Sequence, residues 1–252
     1  METGLKGRRA LVTGGSSGLG LAVCEVLAAE GAELVIVARD PVKLGQAKAR
    51  LSREHGVEVT TASVDMTNRA ELQALAARLR DTGGLEVLVL NSGGPPQPMR
   101  ELLDEMERER WEESYVQQLQ APLNVILEIV PLLVERGWGR VVAITSASVK
   151  QPLAKHAMST IFRSGVHGAL KHLANELAAK GVTVNAVGPA GILTERLVKN
   201  YDLEERAKSI PMKRLGKLEE LAGTVAFLAS EQAGFITGQT IQVDGGVTAA
   251  QL

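Results

Sequence analysis

Val12-Thr13-Gly14-Gly15-Ser16-Ser17-Gly18-Leu19-Gly20 joins a short apolar run, residues 10–12, to a segment with helical apolar periodicity that begins at Leu21. This pattern predicts a strand that turns directly into a helix. The first backbone N–H groups of such a helix lack partners and, together with the helix dipole, favour an anion. Glycine provides positive φ at some positions and lets a phosphate approach the backbone at others. The stretch therefore predicts a phosphate-binding turn.

The glycines of this stretch have the spacing Gly-x-x-x-Gly-x-Gly, through Gly14, Gly18 and Gly20. This spacing differs from the Gly-x-Gly-x-x-Gly of the common dinucleotide fingerprint. A glycine triplet alone is also explained by a tight turn that binds nothing. The strand before it and the amphipathic helix after it favour a dinucleotide site.

The composition fits one α/β domain. The chain has 252 residues, of which 45% are hydrophobic, so it can bury a substantial core. Its net charge of −1 makes neither nucleic acid nor a membrane surface the expected main partner. No apolar run reaches transmembrane length and the N-terminus lacks the apolar core of a signal peptide, which predicts a cytoplasmic protein. Cys24 has no disulfide partner and is expected to be a small buried hydrophobe.

Strand and helix patterns alternate along the whole chain. Apolar runs bounded by turn residues predict strands at 8–13, 33–38, 57–64, 85–90, 140–145, 182–187 and 240–243. Helical patterns cover 18–30, 41–54, 68–80, 101–136 with a break near Arg110, 153–180 and 218–230. Such alternation implies parallel strands joined by right-handed crossovers. The predicted fold is α/β: a single-domain Rossmann fold over residues 1–252, with a doubly wound parallel sheet of about seven strands and helices on both faces.

Ligands of doubly wound sheets bind beyond the carboxyl ends of the strands, where the strand order reverses. The loops after the first, second, fourth, fifth and sixth predicted strands should therefore line one cleft. The segment 190–215 has no clear strand and is predicted to be a lid over that cleft.

The motifs in these loops resemble those of the short-chain dehydrogenase/reductase family. In chain order they are Thr13-Gly14-x-x-x-Gly18-x-Gly20, Asp65, Asn91-Ser92-Gly93, Ile144-Thr145-Ser146, Val184-Asn185-Ala186-Val187-Gly188-Pro189, Leu228-Ala229-Ser230 and Thr237-Gly238-x-x-x-x-Val243-Asp244-Gly245-Gly246. The resemblance extends from Lys6 to Gly246, and within the family the chain is similar to the 3-oxoacyl-[acyl-carrier-protein] reductases. It implies an oxidoreductase that binds a nicotinamide dinucleotide and forms a homotetramer.

The resemblance also implies which residues hold the cofactor. The helix start would bind the pyrophosphate, Asp65 the adenine amino group, and Thr194 the pyrophosphate from the other side. Pro189 and Ile192 would flank the nicotinamide, and the family's glycine after that proline is replaced by Ala190, with glycine one residue later. The full implied set is Gly14, Ser16, Ser17, Gly18, Leu19, Gly20, Arg39, Asp65, Met66, Asn91, Ser92, Gly93, Arg163, Pro189, Ile192 and Thr194.

The end of the second predicted strand bears on the choice of cofactor. An NAD enzyme uses a carboxylate there for the ribose 2′-hydroxyl, whereas an NADP enzyme uses a cation for the 2′-phosphate. Ala38 occupies the acidic position of the family, and Arg39 follows it. A guanidinium can bind a phosphate with two parallel hydrogen bonds, so NADP(H) is predicted over NAD(H). The alternative is that Arg39 only pairs with Asp40 in solvent.

The catalytic positions depart from the family pattern. Its main branch uses a tyrosine, a lysine four residues later, a serine thirteen residues before the tyrosine, and an asparagine on the preceding long helix. Alignment on Ile144-Thr145-Ser146 places Ser146 at the serine position, Ser159 at the tyrosine and Arg163 at the lysine. Counting seven residues from Trp111 places Gln118 at the asparagine. The chain therefore resembles a divergent branch that lacks the Tyr-x-x-x-Lys pair and has an Asn-x-Gly-Gly-Pro-Pro loop.

These replacements differ in their chemical consequences. The guanidinium of Arg163 can hydrogen-bond ribose hydroxyls as an ammonium does. An alkyl hydroxyl is a much weaker acid than a phenol, whose pKa is about 10, so Ser159 does not replace a tyrosine. His156 titrates near neutrality and is the alternative acid, although a loop histidine is often only solvated surface. Tyr115, on the long helix, and Tyr201, in the lid, are further candidates for the acid. The alternative for both is a role in packing only.

Two functions from different classes follow. The first is an NADP(H)-dependent oxidoreductase acting on a small carbonyl or alcohol with altered proton-transfer residues. The second is a dinucleotide-binding protein without reductase chemistry, serving as a sensor or a partner subunit. The retained Ser146 favours the enzyme, although a serine at a strand end also has ordinary capping uses. No metal site is predicted.

Overall fold

A parallel sheet organises the chain, whose computed structural model describes residues 2–250. The strands are β1 Arg9–Thr13, β2 Glu33–Ala38, β3 Val59–Ser63, β4 Val87–Asn91, β5 Gly139–Ile144, β6 Val182–Pro189 and β7 Thr240–Val243. Their order is β3-β2-β1-β4-β5-β6-β7, and every neighbouring pair is parallel. The order reverses between β1 and β4, which creates a crevice at their carboxyl ends. The predicted doubly wound Rossmann fold is confirmed.

The α-helices cover both faces of the sheet. Within the described residues they are α1 Gly18–Ala29, α2 Pro41–His55, α3 Arg69–Asp81, α4 Arg108–Tyr115, α5 Ala121–Glu135, α6 Ala157–Leu177, α7 Glu195–Asn200, α8 Leu203–Ser209 and α9 Leu218–Ala229. Helices α3, α5 and α6 pack on one face, and α1, α2 and α9 pack on the other. The short helices α7 and α8 lie in the segment that was predicted to be a lid.

The core accounts for the apolar runs of the sequence. Strand β5 is buried along its whole length, as expected for a strand covered by helices on both faces. Cys24 on α1 is fully buried, and this burial raises the pKa of its thiol. The prediction that this cysteine is a small buried hydrophobe is confirmed.

The largest difference from the predicted elements lies between β4 and α4. The predicted helix 101–136 was expected to break near Arg110, but Arg110 lies inside α4, and the segment before Arg108 contains only a 3₁₀ turn, Leu102–Asp104. Arg110 donates two hydrogen bonds to the carboxylate of Glu105, at 2.7 and 2.9 Å, and one to the Pro98 carbonyl at 2.7 Å. This buried pair fixes the path of the chain before the helix, so the break falls earlier than predicted.

Helices α4 and α5 are joined by a π-helical turn, Val116–Gln120. Pro122 has no N–H for the carbonyl of Gln118, four residues earlier, and its ring crowds that carbonyl, so the regular hydrogen-bond ladder cannot continue here. By length and composition the continuous helix 108–135 could cross a membrane. Half of its most apolar window is nevertheless buried inside this structure, as in the core helix of a globular domain.

Candidate active site

The turn between β1 and α1 has the geometry that its glycines predicted. Gly14 and Gly18 have φ of +62° and +55°, in the left-handed region that favours glycine. A Cβ added at Gly20 would lie 2.2 Å from the Gly14 carbonyl oxygen, so only glycine lets α1 approach the end of β1 this closely. Each glycine of the triplet therefore has a structural reason of its own.

The first turn of α1 is open to an anion. Ser17 precedes the helix with extended backbone, and its side chain makes no capping hydrogen bond within the described residues. Ser16, Ser17 and Gly18 are at least partly exposed, and Leu19 follows in the first turn. The N–H groups of this turn therefore point out of the helix without a side-chain acceptor, and the helix dipole adds to their attraction for an anion.

A cleft of about 330 Å³ extends from this turn across the ends of β2, β3 and β4. It brings together residues that the sequence predicted for the cofactor: Gly14, Ser16, Ser17, Arg39, Asp65, Met66, Asn91, Ser92 and Gly93. It also contains Lys43, which the sequence reasoning missed, and which could have been found because it lies in the first turn of α2, four residues after Arg39.

One carboxylate oxygen of Asp65 is held by its own turn. Oδ1 accepts hydrogen bonds from the N–H and the hydroxyl of Thr67, at 2.9 and 2.8 Å. The N–H bond of Thr67 is the main reason why the pKa of this carboxyl lies below its ordinary value. The carboxylate is therefore ionised and fixed, and Oδ2 remains for a donor such as an adenine amino group.

The structure does not pair Arg39 with Asp40. The Asp40 carboxylate instead caps α2, accepting from the N–H groups of Val42 at 2.9 Å and Lys43 at 3.2 Å. Arg39 forms none of the ion pairs found within residues 2–250. Two cations, Arg39 and Lys43, thus border the cleft at the end of β2. The alternative role of Arg39 as a solvent ion pair with Asp40 is wrong.

The loop after β6 contains the predicted nicotinamide-side residues. Pro189 is the last residue of β6 and pairs with Val243 of β7. Gly191 has φ of +63°, so it supplies the left-handed residue of this turn in place of a glycine at 190. Ile192 is buried, and Thr194 caps α7 by accepting from the Leu197 N–H at 3.2 Å. Thr194 therefore stands where the lid begins.

Ser146 lies at the end of β5 and is partly exposed. Its hydroxyl oxygen accepts from the Ser148 N–H at 3.2 Å and lies 2.9 Å from the Ser148 hydroxyl. Ser148 is fully buried. When the Ser148 hydroxyl donates to Ser146, the hydrogen of Ser146 remains for an acceptor in the cleft.

Ser159 and His156 lie at the start of α6. Ser159 is only 3% exposed, so its short hydroxyl lies beneath the surface. His156 precedes the helix, and its Nδ1 donates to the Ala154 carbonyl at 2.7 Å, which leaves Nε2 for a second partner. Burial lowers the pKa of His156 below its ordinary value.

The guanidinium of Arg163 is buried among backbone carbonyls. Nη1 donates to Ile144 and Thr145, at 3.2 and 2.9 Å, and Nη2 donates to Gly93 at 3.0 Å. Burial, followed by the positive charge of Arg196, lowers its pKa to about 10. The side chain thus ties the loops after β4 and β5 together. These three N–H groups are used within the protein and are not presented to a ribose.

Gln118 is fully buried at the π-helical turn. Its amide nitrogen and oxygen have no hydrogen-bond partner among residues 2–250, and neither has Nε of Arg163. All three atoms belong to side chains that border a cavity of about 10 Å³. Most of the other residues that line this cavity are apolar. The positions of the predicted asparagine and lysine thus border one small cavity.

His167 belongs to a partly buried hydrogen-bond network that the sequence reasoning missed. Thr145 donates its hydroxyl to the Val187 carbonyl at 3.0 Å, so the 2.8 Å contact with His167 Nε2 requires the histidine to be the donor. Nδ1 then accepts from the Thr240 hydroxyl at 3.3 Å. Burial and the charge of Arg163 lower the pKa of His167 to about 4, in agreement with a neutral ring.

The two tyrosines of the chain lie in different surroundings. Tyr115 is 46% exposed and meets Phe162 edge to face, with ring centroids 6.3 Å apart. Tyr201 ends α7 and lies under the guanidinium of Arg206, 5.8 Å from its ring centroid. Tyr115 therefore packs on α6, and only Tyr201 belongs to the lid.

One group of potential metal ligands occurs among the described residues. Glu25, Glu54 and His55 place one ligand atom each within 4.8 Å of one another. Arg50 lies 3.1 Å from Glu25 and 3.3 Å from Glu54, and His55 lies 2.9 Å from Glu25. A cation of the chain itself thus neutralises both carboxylates.

The sheet order and the glycine turn at its reversal point define a doubly wound protein of the dinucleotide-binding type. A family model described as enoyl-(acyl carrier protein) reductase matches residues 14–248. The chain is 38% identical over 242 residues to the acetoacetyl-CoA reductase of Rhizobium meliloti, covering 95% of this chain and 98% of that protein. It is 35% identical over 243 residues to nodulation protein G of Azospirillum brasilense, covering 94% of this chain and 97% of that protein.

A solved structure agrees with these relatives. The crystal structure of L-sorbose reductase from Gluconobacter frateurii, complexed with NADPH and L-sorbose, superimposes with a TM-score of 0.91 at 31% identity and covers 99% of this chain and 100% of that one. The chain belongs to the short-chain dehydrogenase/reductase family, and its homologues are oxidoreductases.

Proposed function

We propose that the protein is an NADP(H)-dependent oxidoreductase that reduces a small carbonyl, such as a 3-oxoacyl group, or catalyses the reverse alcohol oxidation. The cleft from the open first turn of α1 to Arg39, Lys43 and Asp65 carries this proposal. It offers amide donors for a diphosphate, a fixed carboxylate for adenine and two cations for a 2′-phosphate. Bound there, the cofactor supplies the hydride. The acetoacetyl-CoA reductase among the relatives supports the substrate class.

The proton must come from groups other than a tyrosine at residue 159. A carbonyl that accepts a hydride needs a proton at its oxygen. Ser146 has a hydrogen to donate when Ser148 donates to it, and His156 has Nε2 available at the mouth of the same loop. In this proposal Ser146 polarises the carbonyl, and His156, after taking a proton from solvent at Nε2, donates it in its imidazolium form. Gln118, Ser159 and Arg163 shape the pocket behind them.

The second candidate is a nucleotide-binding protein without reductase activity. One observation favours it: the polar side chains near the reacting position have structural uses of their own. Arg163 binds three carbonyls, and Ser146 caps the 3₁₀ turn Ala147–Val149. Such a protein would be a sensor or a partner subunit of an enzyme.

NADPH oxidation across ketones, diketones and quinones, measured together with NADPH affinity, separates the two candidates. If the protein is an enzyme, we expect NADPH oxidation with at least one of these compounds. Ser146→Ala and His156→Ala should each lower its rate about 10-fold or more, as expected for loss of acid catalysis. Ser164→Ala, an exposed serine on α6, is the matched control. Tight binding without turnover would establish the second candidate, and unchanged rates in both variants would exclude their assigned roles. Absence of affinity for NADPH and NADH at millimolar concentration would contradict both.

The proposal includes a cytoplasmic homotetramer. Leu127 on α5 and Ile161 on α6 are 57% and 44% exposed, which leaves apolar surface on these two helices for a second copy. Sedimentation velocity would give a tetramer, and a monomer would contradict this assembly.

A further inference from the structure

Two guanidinium groups hold the loop after β4 from opposite sides. Arg163 donates to the Gly93 carbonyl from below at 3.0 Å, and Arg196 of α7 donates to the Pro95 carbonyl from the lid. Arg196 also covers Gly94 so closely that an added Cβ there would lie 2.0 Å from its Nη1. The segment Gly93–Pro95 is therefore enclosed by two cations at the border of the candidate active site.

No carboxylate balances these charges. Neither Arg163 nor Arg196 forms any of the ion pairs found within residues 2–250, and their partners are neutral carbonyl oxygens. Burial, followed by the charge of Arg196, lowers the pKa of Arg163. An anion bound beside Arg196 would offset the positive charge of these two side chains.

The faces of α7 separate this anion from the cofactor diphosphate. Thr194, Glu195, Val198 and Lys199 border a groove that they share with Gly18 at the start of α1. Arg196 is not among the residues of this groove, and lies across the Gly93–Pro95 loop instead. A diphosphate on the first turn of α1 would therefore meet the other side of α7.

A third guanidinium, that of Arg206 on α8 in the lid, lies 5.8 Å from the centroid of the Tyr201 ring. Arg206 is half-buried, and its Nε has no hydrogen-bond partner among the described residues. Its charge adds to the burial that lowers the pKa of His156, whereas Glu101 opposes this effect. The lid thus carries two arginines, Arg196 and Arg206, that form none of the ion pairs found within the described residues.

We propose that the substrate is a small carbonyl compound carrying a carboxylate or a phosphate, and that Arg196, assisted by Arg206, binds this anionic group. The inference rests on the proposed function for the location of the reacting carbonyl. It adds the charge of the substrate and the residue that recognises it. A guanidinium suits both anions because it can donate two parallel hydrogen bonds to either.

Binding of matched charged and neutral probes tests this inference independently of turnover. The probes are acetoacetate against methyl acetoacetate, and dihydroxyacetone phosphate against dihydroxyacetone, titrated by calorimetry into the full-length protein with and without NADP⁺. At least one charged probe should bind about tenfold or more tightly than its neutral counterpart, as expected for charge-assisted hydrogen bonds. Arg196→Gln should abolish this preference, and Arg206→Gln should reduce it. Arg108→Gln, an exposed arginine of α4, should leave it unchanged.

The outcomes separate failure of the inference from failure of the proposed function. Equal affinity for charged and neutral probes, or an unchanged preference in Arg196→Gln, would overturn the inference even if neutral carbonyls are reduced. A loss of NADPH affinity in Arg196→Gln as large as the loss of probe affinity would also overturn it, because the anion would then be the cofactor diphosphate. Selective binding of a charged probe without any turnover would support the inference and contradict the reductase.

Discussion

The hydroxyl of Thr13 and the backbone of Asn91 exchange two hydrogen bonds. Thr13 Oγ1 donates to the Asn91 carbonyl and accepts from the Asn91 N–H, both at 2.8 Å. The two residues end β1 and β4, the strands between which the sheet order reverses. This pair therefore fixes the separation of the phosphate-binding turn from the loop that carries Ser92 and Gly93.

Thr13→Val should weaken both stability and cofactor binding. The isosteric valine leaves the N–H and carbonyl of Asn91 without these partners in a partly buried place, which should lower the free energy of unfolding by about 1 kcal/mol. Urea unfolding measures this loss, and fluorescence titration with NADPH measures the effect on the site. Thr13→Ser keeps the hydroxyl and should retain most of the stability and most of the NADPH affinity. If the serine variant loses as much as the valine variant, the hydrogen bonds are not the cause.

A methyl group at Gly20 should prevent α1 from reaching the end of β1. The added Cβ would lie 2.2 Å from the Gly14 carbonyl oxygen, which is backbone and cannot move aside without displacing the turn. Gly20→Ala should therefore lower the free energy of unfolding by about 3 kcal/mol and weaken NADPH binding. Gly45→Ala is the control, because Gly45 is exposed within α2 with no atom within 4 Å of an added Cβ. That variant should be more stable by about 0.5–1 kcal/mol. Equal behaviour of the two variants would exclude the steric explanation.

The sequence predicted those parts of the structure that depend on local chemistry. The turn from β1 to α1 follows from glycines that need positive φ, and the start of α2 follows from Pro41 at its first turn. The position of the cleft then follows from parallel strands joined by right-handed crossovers, whereas the strand order is known only from the structure. The prediction of a helix over residues 101–107, before α4, was wrong because the Glu105–Arg110 pair overrides local helical periodicity.

The features of the site that the sequence did not predict depend on contacts between residues far apart in the chain. Thr13 meets Asn91 across 78 residues, and Arg163 meets the Gly93 carbonyl across 70. The spacing of Arg163 on α6 gives the face of the helix but not which carbonyls its long side chain reaches. His167 could not be recognised because its partners, Thr145 and Thr240, come from two other strand ends. Only the folded chain shows that this histidine is half-buried and neutral.

Removal of the guanidinium of Arg39 should reduce the preference for NADPH. Arg39 has no ion-pair partner within residues 2–250 and borders the cleft beside Lys43, so its charge is available to a 2′-phosphate. Arg39→Ala should weaken NADPH binding about tenfold and leave NADH binding nearly unchanged, since only NADPH carries that phosphate. Fluorescence titration with both nucleotides measures the ratio. Arg53→Ala, an exposed arginine near the other end of α2, is the matched control. Equal loss for the two nucleotides would contradict recognition of the 2′-phosphate.

Protonation of His167 should destabilise the fold in mild acid. Its pKa is about 4 in the folded protein, against an ordinary value near 6.5. Between these pH values the unfolded chain binds a proton that the folded protein excludes, so stability falls as the pH decreases from about 6.5 to about 4. The full contribution of this group is about 3 kcal/mol, and His156, whose pKa is also lowered, acts in the same direction. His167→Gln should flatten the pH dependence of urea unfolding between pH 7 and 4.5, whereas His172→Gln, an exposed position on the same helix, should leave it as in the natural protein. If the pH dependence of unfolding in His167→Gln equals that of the natural protein, His167 takes up a proton equally well in the folded and the unfolded chain. That outcome would contradict the hydrogen bonds described above, in which Nδ1 of a neutral ring accepts from Thr240.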